Sequence, residues 1–316
     1  MGLARYFHSV ATGPTRRARL FSLILRHSIG RRFRKAGLSV SELRKLDGLM
    51  ARSQRPPKGT KVSPVTADYL PAEWVLGPGA GTDAAILYLH GGGFVMGSPA
   101  THRELAARVS SAGKSRVLSL DYRLAPEFPF PAALDDAKTA YHWLLGSGYA
   151  ARHLVIGGDS SGAGLALQTL LSLRDEGAQM PCACFFMSPV TDWVTTGGES
   201  WVTRAALDPL VSLTQCRHTS SLYAGSHADD SPLLRPADMS LTGLPPLWIQ
   251  VGDHEVLLSD AQRLASRAAK DGVEVDFKIW PGMWHVFQSA ARYVPESRQS
   301  LEELGLFLKE RFKARG

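Results

Sequence analysis

Several absences narrow what this chain can be. None of its 316 residues fall in an apolar run of about 18, the length a membrane-crossing helix needs. Cysteine is scarce and odd in count: Cys182, Cys184 and Cys216. The first two form C-x-C rather than C-x-x-C, and no histidine cluster lies nearby, so neither a disulfide framework nor a metal site is expected. They sit in a strand-like run, 182–187, and read as buried reduced thiols, which implies a reducing, cytoplasmic setting. Acidic residues are nearly absent from residues 1–61, which hold 2 Asp/Glu against 15 Lys/Arg, a net of +13. The remaining 255 residues hold 27 against 21, a net of −6. A basic tail of this kind belongs either to a helical cap with a solvated arginine face or to a segment meeting an anionic membrane. No aromatic-interleaved basic motif accompanies it, so nucleic acid is not an expected partner. A secretory leader is not expected either, because the apolar core, Leu20 to Leu25, is short and lies between arginines. Gly2 lacks the Ser/Thr at position 6 that myristoylation requires, and Tyr6 stands there instead. The first 41 residues, nine basic and none acidic, do match the composition of a transit peptide.

What is present divides near residue 60. Over 18–35, Phe21, Leu25, Ile29 and Phe33 recur at i+4 among five arginines, which predicts a basic amphipathic helix. Those four side chains are expected to pack on the body of the protein. Ser39 with Glu42 predicts a capping box opening a second helix lined by Leu43, Leu46, Leu49 and Met50. Residues 52–59, with Pro56-Pro57, read as a linker. From there, strand-like runs near 61–67, 72–76, 84–90, 116–121, 153–158, 182–188, 246–252 and 274–280 alternate with helical stretches near 100–112, 131–146, 161–176, 258–271 and 298–313. Such alternation implies a mostly parallel, eight-stranded α/β sheet with helices on both faces. Residues 192–240 break the rhythm and read as a helical insertion over the site. The expected organisation is a cap segment over 1–59 and a catalytic domain over 60–316.

Two motifs carry chemistry. His90-Gly91-Gly92-Gly93 follows the third apolar run, and Gly158-Asp159-Ser160-Ser161-Gly162 follows the fifth. The second is G-x-S-x-G in strand-turn-helix context, where a sharp turn pushes a serine out as nucleophile. The glycines of the first let backbone N–H groups face a developing oxyanion. By chance, G-x-S-x-G would arise in roughly one chain in four of this composition and H-G-G-G in roughly one in a hundred, so the ordered pair is the informative signal.

A serine needs a base. After such a serine the acid and then the histidine follow in chain order. His285, in Trp280-Pro281-Gly282-Met283-Trp284-His285-Val286-Phe287, lies on a turn after the last strand and is the expected base. His218 and His227 fall in the insertion, and His254 at a strand end. For the acid, Glu255 is favoured because it stands on the loop after the seventh strand. Asp260 and Asp253 are the alternatives, both suited to local capping or solvation.

These residues resemble a family. His90 to Phe94, Asp121-Tyr122-Arg123-Leu124-Ala125-Pro126-Glu127, Gly158 to Gly162 and Gly282 to Phe287 look like the hormone-sensitive-lipase-like esterases, family IV of the bacterial lipolytic enzymes, over about residues 60–310. The resemblance implies an α/β-hydrolase fold, an N-terminal helical cap, carboxylester hydrolysis without a cofactor, and an oxyanion hole from the N–H groups of Gly91, Gly92 and Ser161. It departs from the usual pattern in having Glu255 where many relatives have Asp, and Ser161-Gly162-Ala163 where Ala-Gly-Gly is usual. Phe94, Trp201 and Trp284 are the expected pocket residues.

The resulting expectation is a serine carboxylesterase for short- to medium-chain esters. An acetyl-hydrolase or lactone hydrolase of a small metabolite is the alternative. A noncatalytic receptor on the same fold is more remote, since serine, acid and histidine are all present. Peripheral membrane contact through residues 1–50 and a homodimer are further expectations.

Overall fold

The structure is a computed structural model that describes residues 8–9, 13–35, 37–227 and 231–313. In chain order its elements are β1 (His8–Ser9), α1 (Arg16–His27), α2 (Ile29–Phe33), α3 (Val40–Ser53), β2 (Lys61–Ala67), β3 (Leu70–Leu76), β4 (Ala85–Leu89), α4 (Pro99–Gly113), β5 (Arg116–Leu120), α5 (Ala132–Gly146), β6 (Leu154–Asp159), α6 (Ser161–Asp175), β7 (Ala183–Met187), α7 (Ser200–Thr203), α8 (Leu213–Ala224), β8 (Leu247–Gly252), α9 (Leu258–Lys270), β9 (Val275–Trp280) and α10 (Pro295–Lys313). The strands form one sheet in the order β1-β9-β8-β7-β6-β4-β5-β3-β2. Pairing is parallel from β1 through β5 and antiparallel for β2–β3 and β3–β5. The eight expected strands are present, with the two-residue β1 added on the outer side of β9.

Strands β4, β6, β7 and β8 are buried at every position because both faces of the sheet are covered. In β4, Ile86 and Tyr88 pack with Leu105 and Val109 of α4 and Leu304 and Leu308 of α10. Leu87 and Leu89 face the other way, into the core that holds Leu144 of α5, Leu167 of α6 and Leu264 of α9. Pro99 and the Ser98 hydroxyl, which accepts the Thr101 N–H, start α4 directly after the glycine loop. From β4 the chain winds first to β5 on one side and then back to β6 on the other. Such a reversal opens a crevice at the carboxyl ends of the strands, where ligands of open α/β sheets bind.

The N-terminal segment departs from expectation in one respect. The helix expected over 18–35 is broken at Ser28, giving α1 and α2. At the break the Ser28 hydroxyl and N–H both donate to the Ile24 carbonyl, and just beyond it Gly30 meets another backbone, since a Cβ there would lie 2.1 Å from the Pro209 carbonyl oxygen. Phe21, Leu25, Ile29 and Phe33 are all half-buried. Phe21 stacks on Trp284 at 5.5 Å, and Phe33 packs against the main core. The Ser39–Glu42 capping box opens α3 as expected. From α3, Arg44 reaches the Val95 and Ala125 carbonyls and pairs with Glu127. The segment between β7 and β8 carries α7 and α8 joined by irregular chain. Gly2 and Tyr6 lie outside the described residues. Among the described residues, no helix is long and apolar enough to cross a membrane.

Candidate active site

The site is assembled from loops at the carboxyl ends of β4, β6, β7, β8 and β9. At the end of β6 the backbone of Ser160 is forced to φ 54°, ψ −124°, a left-handed value that costs roughly 1–3 kcal/mol for a residue with a side chain. The turn is held by Ser160 N–H donating to the Met187 carbonyl at 2.8 Å. It is tight enough that a Cβ at Gly162 would lie 2.1 Å from the Leu89 carbonyl oxygen. The packing explains the glycine after the serine in the motif.

The Ser160 hydroxyl lies 2.9 Å from Nε2 of His285, and Nδ1 of His285 lies 2.9 Å from Oε2 of Glu255. Glu255 is fully buried. Its other oxygen accepts the Ser188 hydroxyl at 2.9 Å and the Gly252 N–H at 2.5 Å. A carboxylate in that position fixes the imidazole proton on Nδ1 and leaves Nε2 to accept from serine. Burial depresses the His285 pKa, but the hydrogen bond and charge of Glu255, with the charge of Asp208 behind it, outweigh burial and raise it above its ordinary 6.5. Activity that needs neutral imidazole should therefore rise with pH along a limb centred above 6.5. A kcat/KM profile measured with a slow ester checks this, and a limb centred well below that value would contradict it.

The other candidates for the acid are placed elsewhere. Asp260 is enclosed by the Trp201 indole N–H at 3.1 Å, the Thr191 hydroxyl at 3.2 Å and Arg263 at 3.2 Å. Burial pushes its carboxyl up to about 6 despite Arg263. Asp253 accepts the Gly282 N–H, so it braces the turn that carries His285 without touching the ring.

The glycine loop corrects one expectation. The Gly91 N–H donates to the buried Asp159 carboxylate at 3.2 Å, so it is turned away from the site and is not offered to a substrate. Asp159 also accepts the Tyr88 hydroxyl at 2.5 Å and faces His102 at 3.5 Å. Burial raises the Asp159 carboxyl, yet His102 and the Tyr88 hydrogen bond hold it below its ordinary value. The N–H groups of Gly92 and Ser161 make no hydrogen bond among the described residues. The Gly93 N–H donates to the Ser161 hydroxyl at 2.9 Å. The loop stays open through φ values of 129° at Gly92 and 62° at Gly93.

The three expected pocket residues are all buried. Phe94 stacks on Tyr223 at 3.5 Å and meets Trp193 edge-on. Trp284 lies beneath Phe21 of α1, while the Trp201 indole N–H is tied to Asp260.

Two residues were not foreseen. Ser188, at the end of β7 with φ 51°, donates to Glu255 and accepts the Val286 N–H at 3.0 Å, so it joins the acid loop to the histidine loop. Its position at a strand end was an available signal. Asp208 is fully buried in the insertion. One oxygen accepts the Leu210 and Val211 N–H groups, a local pattern visible from an Asp before a turn, and the other accepts the Val256 N–H at 3.0 Å. That last bond ties the insertion to the residue next to Glu255, and it depends on a tertiary meeting that no local pattern announces. Asp208→Asn is expected to shift the acid limb of the pH–rate profile to lower pH, because a negative charge that raises the His285 pKa is lost. An unshifted limb would mean that Asp208 serves only the local fold.

Comparisons with known proteins agree with this fold. A family model described as the alpha/beta hydrolase fold matches residues 86–289. The chain is 42% identical over 245 residues to an acetyl-hydrolase of Streptomyces hygroscopicus, covering 78% of this chain and 81% of that one. It is 34% identical over 271 residues to the carboxylesterase/phospholipase LipF of Mycobacterium tuberculosis, covering 82% and 72%. A crystal structure of an esterase from the bacterial hormone-sensitive lipase family superposes with a TM-score of 0.89 at 38% identity, over 95% of this chain and all of that one.

Proposed function

The chain belongs to the α/β-hydrolase family, among the esterases related to bacterial hormone-sensitive lipase, and we propose that it hydrolyses short- to medium-chain carboxylic esters through an acyl-enzyme on Ser160. It is a hydrolase of ester bonds. The observation that carries the finer reading is the unbroken hydrogen-bond line from Ser160 through His285 to Glu255.

In this mechanism the Ser160 oxygen attacks the ester carbonyl carbon as Nε2 of His285 takes the hydroxyl proton. Glu255 keeps the Nδ1 proton in place and stabilises the imidazolium without accepting that proton. The carbonyl oxygen, now negative, is received by the N–H groups of Gly92 and Ser161. Gly93 adds a third donor when its N–H exchanges the Ser161 hydroxyl for the oxyanion. Donors already aimed at this position are worth roughly 10²–10³ in kcat each. Collapse breaks the bond to the alcohol, which leaves with the proton from His285. Water then attacks the acyl-serine by the same route and releases the acid.

Residues 1–59 act as a cap in this reading, supported by Phe21 on Trp284 and by Arg44 on the loop that follows the glycines. The buried Cys184 thiol suits a reducing compartment, and the cytoplasm is the proposed location. Acetyl esters are the second reading, favoured by the name of the Streptomyces relative. Hydrolysis of p-nitrophenyl acetate, butyrate and octanoate tests both. A maximum at butyrate supports the first reading, a steep fall beyond acetate the second. No hydrolysis by the intact protein would overturn the function.

A further inference from the structure

Helix α1 has two apolar faces, and only one of them meets the protein. Ala18, Phe21 and Leu25 point inward, where they join Trp280, Met283, Trp284 and Phe287 in a small cluster beside His285. On the opposite side, Leu20 is 60% exposed, Leu23 54% and Ile24 56%. At 100° per residue these three lie together on the outward face of the helix, between Arg16 at one end and His27 at the other. The burial that holds α1 on the body therefore leaves this second set of aliphatic side chains uncovered, and one helix serves two surfaces.

The exposed surface of α1 and α2 is cationic. Arg16, Arg17, Arg19, Arg31 and Arg32 are exposed. Among the described residues none of them makes an ion pair. Tyr293, 56% exposed, stacks on Phe21 at 5.6 Å and carries the Arg292 guanidinium over its ring. An aliphatic patch edged by arginines and an exposed tyrosine is complementary to one kind of partner. Acyl chains accept the aliphatic side chains, anionic headgroups accept the arginines, and the ring sits between them.

We propose that the outward face of α1, centred on Leu20, Leu23 and Ile24, is a docking surface for an anionic lipid–water interface. The helix would lie in the plane of the surface with those three side chains about 5–10 Å into the headgroup boundary. Because the inward face of α1 packs on Trp284, next to His285, docking places the cap side of the active site against the lipid. A second copy of the chain seated on the same face is the competing occupant. The docking does not depend on hydrolysis, so it is measured with Ser160→Ala, and a failure of the esterase mechanism would leave the result readable.

The experiment is co-sedimentation of the full chain with vesicles of phosphatidylcholine alone and of phosphatidylcholine with one-third phosphatidylglycerol. The expected result is binding to the anionic vesicles, at least tenfold weaker to the neutral ones, and falling steeply between 0.1 and 1 M salt as the Debye length shrinks from about 10 to 3 Å. The triple variant Leu20→Ser, Leu23→Ser, Ile24→Ser, made in the active chain and in the Ser160→Ala chain, should lose at least tenfold in vesicle binding. In the active chain it should keep its turnover of soluble p-nitrophenyl acetate, which shows that the fold is intact. Equal binding of triple variant and parent would overturn the proposal, as would an intact chain that stays in the supernatant. A parent that sediments as a dimer in ultracentrifugation, with a monomeric triple variant and no vesicle binding by either, would assign the face to a second copy instead.

Discussion

Replacing Ser160 or His285 by alanine should reduce kcat by roughly 10⁴- to 10⁶-fold, and replacing both should cost little more than replacing either. Serine and imidazole share one proton transfer, so once either is gone the other has nothing to act on. The residual rate comes from the backbone donors and from binding. Both side chains sit at the ends of loops whose shape is set by other contacts: the Ser160 turn by the Met187 carbonyl, and the His285 turn by Asp253 and Ser188. The variants should therefore fold, and near-unchanged thermal melting checks that. Steady-state kinetics with p-nitrophenyl butyrate gives the rates. Losses that multiply in the double variant would show that the two residues act in separate steps.

Glu255→Gln should be nearly as damaging as Glu255→Ala, on the order of 10⁴-fold in kcat. The glutamine fills the same buried space and still has an oxygen for the Ser188 hydroxyl and the Gly252 N–H. Its amide N–H₂, however, donates to Nδ1 of His285, which drives the imidazole proton to Nε2. That nitrogen then has no lone pair for the Ser160 proton. Shape is kept and the tautomer is lost, which separates an orienting carboxylate from a space-filling one. Asp260→Ala should behave in the opposite way. It leaves Trp201, Thr191 and Arg263 without their shared acceptor, so Tm should fall while kcat of the folded enzyme stays within a few-fold of normal. A normal kcat for Glu255→Gln together with an inactive Asp260→Ala would move the acid to Asp260.

The parts of the molecule legible in the sequence are those set by local pattern. Strand β4, Ala-Ile-Leu-Tyr-Leu, is apolar throughout because it is covered on both sides, and strand-like runs marked all eight main strands. The Ser39–Glu42 box fixed the start of α3 because both of its bonds lie within one helical turn. Ser160 could be placed because a strand end, a turn and a motif coincide there, and His285 because it stands on the turn after the last strand; Glu255 rested on its loop position alone, with Asp253 and Asp260 left as alternatives. Features created by distant chain segments meeting were not legible. The close approach of Gly30, just past the break at Ser28, to Pro209 is one such meeting. The Gly91 N–H is diverted by Asp159, 68 positions away. Asp208 reaches Val256 across 48 positions. The outward triad of α1 was hidden for a related reason: the i+4 stripe of Phe21, Leu25, Ile29 and Phe33 accounted for one apolar face, and only packing distinguishes the face that is covered from the one that is not.

The acyl-enzyme on Ser160 is open to direct observation. Mixing the enzyme with p-nitrophenyl butyrate, quenching in acid within milliseconds and measuring the intact mass should reveal a fraction of the chain heavier by one butyryl group. Peptide mapping should place that group on Ser160, and it should be absent from Ser160→Ala. Full p-nitrophenol release by wild type with butyryl found on another residue, or undiminished turnover in Ser160→Ala, would contradict nucleophilic catalysis by this serine.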